Sequence, residues 1–264
     1  MFQKLSNIVT NCKTAANTAY GMHKKAIDKI NKNYAGEYLE EKRQKERDRY
    51  AELLRNIREP YLQQINSLCE EMIAYIESKM KEVRVTELNE IDALDQLNIE
   101  FTADEMRNLI SRYVSGGNYW SVRKIYNFAI RRGLKGIDNF TLSRQIEVVR
   151  KAQADAAFFV QNYESDFVAD ITVYGVAMER ISANPAEHFM NYEIEFCRNP
   201  ICTILGFSEF VKDNISKRFD ACEYSQEKTE LAEKVVAGGL DMYCESLTKF
   251  MYYIDKVRIK NGVR

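Results

Sequence analysis

The apolar positions of the first thirty residues form a heptad seam. Leu5, Val9, Cys12, Ala16, Ala19, His23, Ala26 and Ile30 follow one another in alternating steps of four and three. That spacing keeps one face of a helix turned towards a partner. The three alanines make the seam narrow, so a neighbour comes close but little area is buried at roughly 25 cal/mol per Å2. A histidine among the seam positions costs stability and can fix register. Two readings stay open: pairing with another helix, or docking on the body of the same chain. Glu40 to Arg49 then holds almost no apolar side chain and reads as a solvated helix. The stripe returns at Tyr50 and continues through Leu54, Ile57, Tyr61, Ile65, Leu68, Met72, Ile76, Met80 and Val83, with the period of a straight amphipathic helix. Pro60 interrupts it, which predicts a kink or a fresh start, because proline lacks the ladder N–H.

Start and stop signals divide the remainder of the chain. Thr86 is a candidate N-cap for a short helix over 87–97. Thr102 and Glu105 form a capping box, and Met106, Leu109, Ile110 and Tyr113 follow at helical spacing. Gly116-Gly117-Asn118 breaks that helix, and the next runs from Tyr119 to a stop at Gly133. Further helices are expected over 141–163, 166–181 and 201–219. Asn184-Pro185-Ala186-Glu187 marks the start of another that ends near Cys197. Ser225 is expected to cap a last helix over 226–259, with Gly238-Gly239 as a break or close-packing point. No period-2 strand is found. The pattern predicts an all-α chain: a multi-helix bundle over 86–264, divisible near 135–140, with a long, partly coiled-coil-like helical arm over 1–85.

Composition supports that class and limits the chemistry. Three prolines in 264 residues are few for a turn-rich β fold. The net charge of −1 gives no overall pull towards nucleic acid or anionic membrane. It hides an alternation, with net +5 over 1–49, −6 over 50–100, +5 over 101–150 and −6 over 151–215. Alternating blocks suit docking between complementary patches, or are ordinary scatter. No apolar run has the length of a membrane span. The six cysteines show no C-x-x-C pair and sit on apolar faces, so free thiols in a cytoplasmic setting are expected.

Catalytic and metal motifs are missing from the sequence. There is no G-x-S-x-G, phosphate loop or dinucleotide fingerprint. The two histidines, His23 and His188, have no E-x-x-H context, and Cys197 and Cys202 are too far apart for a zinc pair. No cofactor or metal is expected, and a Cys197–His188 dyad reads more simply as packing. The surface with most chemistry is the second helix of the 102–135 hairpin, where Trp120 accompanies Arg123, Lys124, Arg131, Arg132 and Lys135. A basic helix after a tight turn could enter a DNA groove, stack on bases or meet an acidic protein. The plainer reading is a solvated basic face.

The run Thr102-Ala-Asp-Glu-Met-Arg-Asn-Leu-Ile-Ser-Arg-Tyr, followed by Gly117-Asn-Tyr-Trp-Ser-Val-Arg-Lys-Ile-Tyr-Asn-Phe-Ala, resembles uncharacterised helical proteins encoded in the structural gene clusters of tailed bacteriophages of low-GC bacteria. The resemblance implies a virion or assembly role and carries no catalytic residue with it. The aromatic-rich 140–260 region departs from a transient scaffold and suits a retained component. The expected function is therefore structural: helix-mediated association with itself, as a homo-oligomer or larger assembly, or with protein partners, the alternative being a nucleic-acid-binding module on 102–135.

Overall fold

The computed structural model describes residues 1–80, 92–93, 96, 100–134, 142–171, 175–198, 201, 208–237, 240–244 and 247–262. They form α-helices and one 3-10 helix, and no strand occurs among them. In chain order these are α1 (Phe2–Asn33), α2 (Gly36–Met80), α3 (Ala103–Ser115), α4 (Tyr119–Arg131), α5 (Leu142–Asn162), α6 (Asp166–Ile171), α7 (Gly175–Ala183), α8 (Pro185–Cys197), α9 (Ser208–Ala221), α10 (Ser225–Ala237), a 3-10 turn (Asp241–Cys244) and α11 (Thr248–Lys260). The expected all-α class is what the chain adopts. The short helix expected over 87–97 falls largely outside the described residues, as does Lys135.

The chain divides into two compact units: residues 1–73 with 149–192, and residues 74–148 with 193–264. The first is built on α1, α2 and α5. Phe2, Leu5, Val9, Cys12, Ala16 and Ala19 of α1 are buried, as are Leu54, Ile65 and Cys69 of α2 and Ala152, Ala156 and Phe159 of α5. Arg150 pairs with Glu70 at 2.5 Å, Gln153 donates to Asn66 at 3.0 Å, and Arg58 donates to the Tyr163 carbonyl at 3.0 Å. These contacts descend α5 while ascending towards the start of α2, so the two helices are antiparallel. Asp166 ties this bundle to α1, accepting from Lys13 at 3.0 Å and from Asn17 at 2.8 Å. The Phe2 ring stacks on Tyr192 of α8 at 6.4 Å. The arm expected over 1–85 is thus integrated with 149–192 through its first 73 residues.

Pro60 does not end α2. One helix runs from Gly36 to Met80 with the proline inside it. Pro60 is exposed, so water can bond the carbonyl that its missing N–H leaves open, and packing on either side holds the helix through the defect.

The second unit contains the α3–α4 hairpin and the α9–α11 group. Thr102 and Glu105 form the expected reciprocal capping box. Gly117 takes φ 71° at the turn, and Asn118 then caps α4 by accepting from the Ser121 N–H at 3.1 Å. Gly133 ends it at φ 68°. In the C-terminal part, the Phe219 and Phe250 rings meet at 4.6 Å, and Ile254 and Val257 are buried. The stretch expected as a last helix over 226–259, with a break or close-packing point at Gly238-Gly239, is divided into α10, the 3-10 turn and α11. The first of these ends at Ala237, just ahead of two glycines in the sequence, a residue type that disfavours helix propagation.

Candidate association surface

The heptad seam of α1 is mostly covered by its own chain. Leu5, Val9, Cys12, Ala16 and Ala19 are at most 3 % exposed. A partner helix therefore cannot use those five positions without opening the core. His23, Ala26 and Ile30 are half-buried. The seam is real, and its alanines allow the close approach of neighbouring helices that the spacing implies, but its occupant between Leu5 and Ala19 is the first unit itself.

Past the end of α5 the two long helices continue as an antiparallel pair. Tyr163 donates to Asn17 at 3.0 Å and Phe167 stacks on Tyr20 at 6.1 Å. Beyond Tyr20, His23 lies parallel to the Tyr50 ring at 4.3 Å and its Nδ1 is 3.2 Å from Glu46. Arg49 adds a bidentate grip on the same carboxylate at 2.7 and 2.8 Å. The Arg49 hydrogen bond holds the Glu46 carboxyl below its usual range, and His23 adds to this against the opposing effect of burial. Glu46 is a correction to the expectation that 40–49 is exposed on nearly every side, because it is 9 % exposed. The sequence signal is the polar residue in the seam: a seam histidine needs a polar partner at the same level of the returning helix.

Towards the tip, Arg43 donates to Asn31 at 2.8 Å and Lys42 sits over the Tyr38 ring at 4.8 Å. Tyr34, Tyr38 and Met22 remain exposed. Along α2 the charges pair locally, as in Arg43–Glu40 and Lys45–Glu41. Along α1, Lys24, Lys25, Lys29 and Lys32 are all exposed. The tip is a two-helix projection with little apolar support of its own.

The same hairpin carries a second, shallower seam on a face that opens to solvent. A groove of about 390 Å3 lies between α1 and α2, with Ile8 and Leu68 in its lining and Lys4 and Glu71 on opposite sides. Ile8, Ala15 and Met22 are spaced by seven on α1, as are Tyr61 and Leu68 on α2. All are half-buried except Met22, which is 53 % exposed. The groove holds the first α1 position, Ile8, and the last α2 position, Leu68, of these two seven-residue repeats.

The other sequence-derived patch is less available. Lys124 is paired with Asp92, Arg123 lies over Trp120 at 5.7 Å, and Arg132 lies over Phe128 at 4.8 Å. Arg131 is exposed. The cations thus largely cover the aromatics of their own helix. In the first unit a cavity of about 330 Å3 adjoins His188, lined also by Arg180, Asn184, Glu187 and Asn191. His188 Nε2 is 2.8 Å from Asp155, which also accepts from the Tyr192 hydroxyl at 2.6 Å. Burial raises the Asp155 carboxyl, but these hydrogen bonds outweigh it and hold the group below its usual range. The lining side chains come from the end of α7, Asn184 and the first turns of α8. Burial pushes the Cys12 and Cys69 thiols up to about 11 and Cys244 to about 12, so they stay protonated and unreactive. No cluster of three metal-binding side chains occurs among the described residues, and no helix there is long and apolar enough to cross a membrane.

Comparison with protein-family models, curated proteins and solved structures found no match.

Proposed function

We propose that this chain is a structural or assembly protein that works by helix-mediated self-association, with the α1–α2 hairpin as the associating element. The observation that carries the reading is the solvent-open groove between α1 and α2, lined in part by half-buried Ile8 and Leu68, from which heptad steps lead to half-buried Ala15 and Tyr61. A helix face with apolar residues at heptad spacing is stable in water once another helix covers it. The resemblance of residues 102–129 to phage structural proteins supplies the finer form of the proposal: a retained virion or head-associated component.

Amine-reactive cross-linking tests the association directly, since Lys24, Lys25, Lys29 and Lys32 are exposed on the hairpin. Cross-linked species at twice the chain mass, formed at micromolar concentration and lost after dilution, are the expected result. A single-chain band under all these conditions contradicts the proposal. Capsid or portal genes beside the gene for this chain would support the finer form, and a neighbourhood of metabolic genes would remove it.

A further inference from the structure

The groove between α1 and α2 has a chemistry that selects its occupant. Its lining sets apolar Ile8 and Leu68 among polar Asn7, Gln64 and Ser67, and its two walls differ in charge. The α1 wall carries Lys4. The α2 wall carries Glu71. Lys4 and Glu71 are both exposed, and Glu71 accepts a hydrogen bond from Ser67 on its own helix at 3.2 Å. A nucleic acid would find apolar side chains it cannot use and an acid that repels phosphate. A helical protein surface would use both features.

From these observations we infer that the occupant is a second copy of this chain, seated with α1 of each copy along α2 of the other in a parallel, twofold four-helix arrangement. The inference rests on the association reading above and specifies its geometry. Within one hairpin, Lys4 faces the level of Glu71, Ile8 that of Leu68 and Ala15 that of Tyr61, because the helices are antiparallel and the groove lining fixes the first two pairs. A twofold axis along the bundle keeps those levels and exchanges the partners. Lys4 of each copy then meets Glu71 of the other, Ile8 meets Leu68, and small Ala15 receives bulky Tyr61. Each contact occurs twice, as an isologous interface requires. The competing arrangement, α1 against an antiparallel α1, brings Lys4 of one copy towards Lys25 of the other, and like charges in close approach disfavour it. Alternating knobs and a small residue opposite a large one are also what close helix packing needs.

The test is sedimentation of the full chain and of two charge-reversed variants, Lys4→Glu and Glu71→Lys, alone and mixed. Both positions are exposed, so the fold should survive, and circular dichroism checks that it does. The wild-type chain is expected to dimerise. Each variant alone should show a dissociation constant at least tenfold higher. An equimolar mixture should recover to within about threefold of wild type. In the mixed dimer the two reversed charges face each other at one contact, and the unaltered Lys4 and Glu71 face each other at the other. A dimer indifferent to both reversals, or a mixture no tighter than either variant, overturns this geometry and leaves self-association standing. A chain that stays monomeric at every concentration overturns both, and assigns the face to a helix of a different protein.

Discussion

At the residue scale, Glu46 shows how a charged run can hide a structural group. Its carboxylate accepts from Arg49 and lies against His23, which in turn stacks on Tyr50. Its folded value is depressed below the ordinary 4.5, so its contribution to stability is fully present above that value and is lost as pH falls through the folded one. The thermal midpoint is therefore expected to drop on acidification below about pH 4.5, and Glu46→Gln should flatten that drop while lowering the midpoint at neutral pH. Scans of circular dichroism from pH 3 to 7 read both effects. An equal slope for wild type and variant would remove Glu46 from the account. Leu5 makes the matching case for the seam. It is fully buried, so Leu5→Ala should cost about 2–5 kcal/mol in urea unfolding. A cost below about 1 kcal/mol, the range of surface substitutions, would mean that the seam is not core.

Elements are legible in the sequence where their signals are local. Thr102 with Glu105 and Asn184 with Pro185 mark their helix starts because a cap satisfies N–H groups within one turn. Long-range partners are not legible. His23 in the seam signals a polar partner without saying which residue, twenty-three positions away, supplies it, and nothing near Asn17 announces Asp166. The second seam is hidden because Tyr61 and Leu68 fall into one periodic stripe with Ile65, although Ile65 is buried, the other two are half-buried and Leu68 lines the groove. Pro60 resembles a boundary because the local penalty is large, and the packing that overrides it is tertiary. The substitution Pro60→Ala restores an N–H within α2 and should raise stability by about 1–3 kcal/mol, measured by urea unfolding. A loss of stability would show that the chain needs the proline geometry. The tip is expected to be dispensable for folding. Deleting residues 26–43 and closing with a short glycine turn should leave the urea midpoint of the chain nearly unchanged. Removing residues 1–59 takes Leu5, Val9 and Leu54 from the core and should abolish cooperative unfolding of the first unit.

For the whole molecule, the two units pose different questions. In the unit formed by residues 74–148 and 193–264, Ile130, Tyr224, Tyr252 and Ile259 are exposed singly, Arg123 lies over Trp120, Arg132 lies over Phe128 and Lys124 pairs with Asp92. The unit formed by 1–73 and 149–192 buries Leu5, Val9, Leu54, Ile65 and Phe159 and carries a solvent-open groove at Ile8 and Leu68 on its long helices. Its hairpin combines a base locked by Arg150–Glu70 and Lys13–Asp166 with an exposed tip. That combination suits a component that adds helices from outside itself. The most direct measurement is sedimentation equilibrium of the full chain from about 1 to 100 μM, the range in which modest helix–helix interfaces associate. A weight-average mass that rises from 30.8 kDa towards twice that value, and stays at 30.8 kDa in the Leu68→Glu variant, is the expected result. A mass of 30.8 kDa at every concentration for the unaltered chain would contradict it.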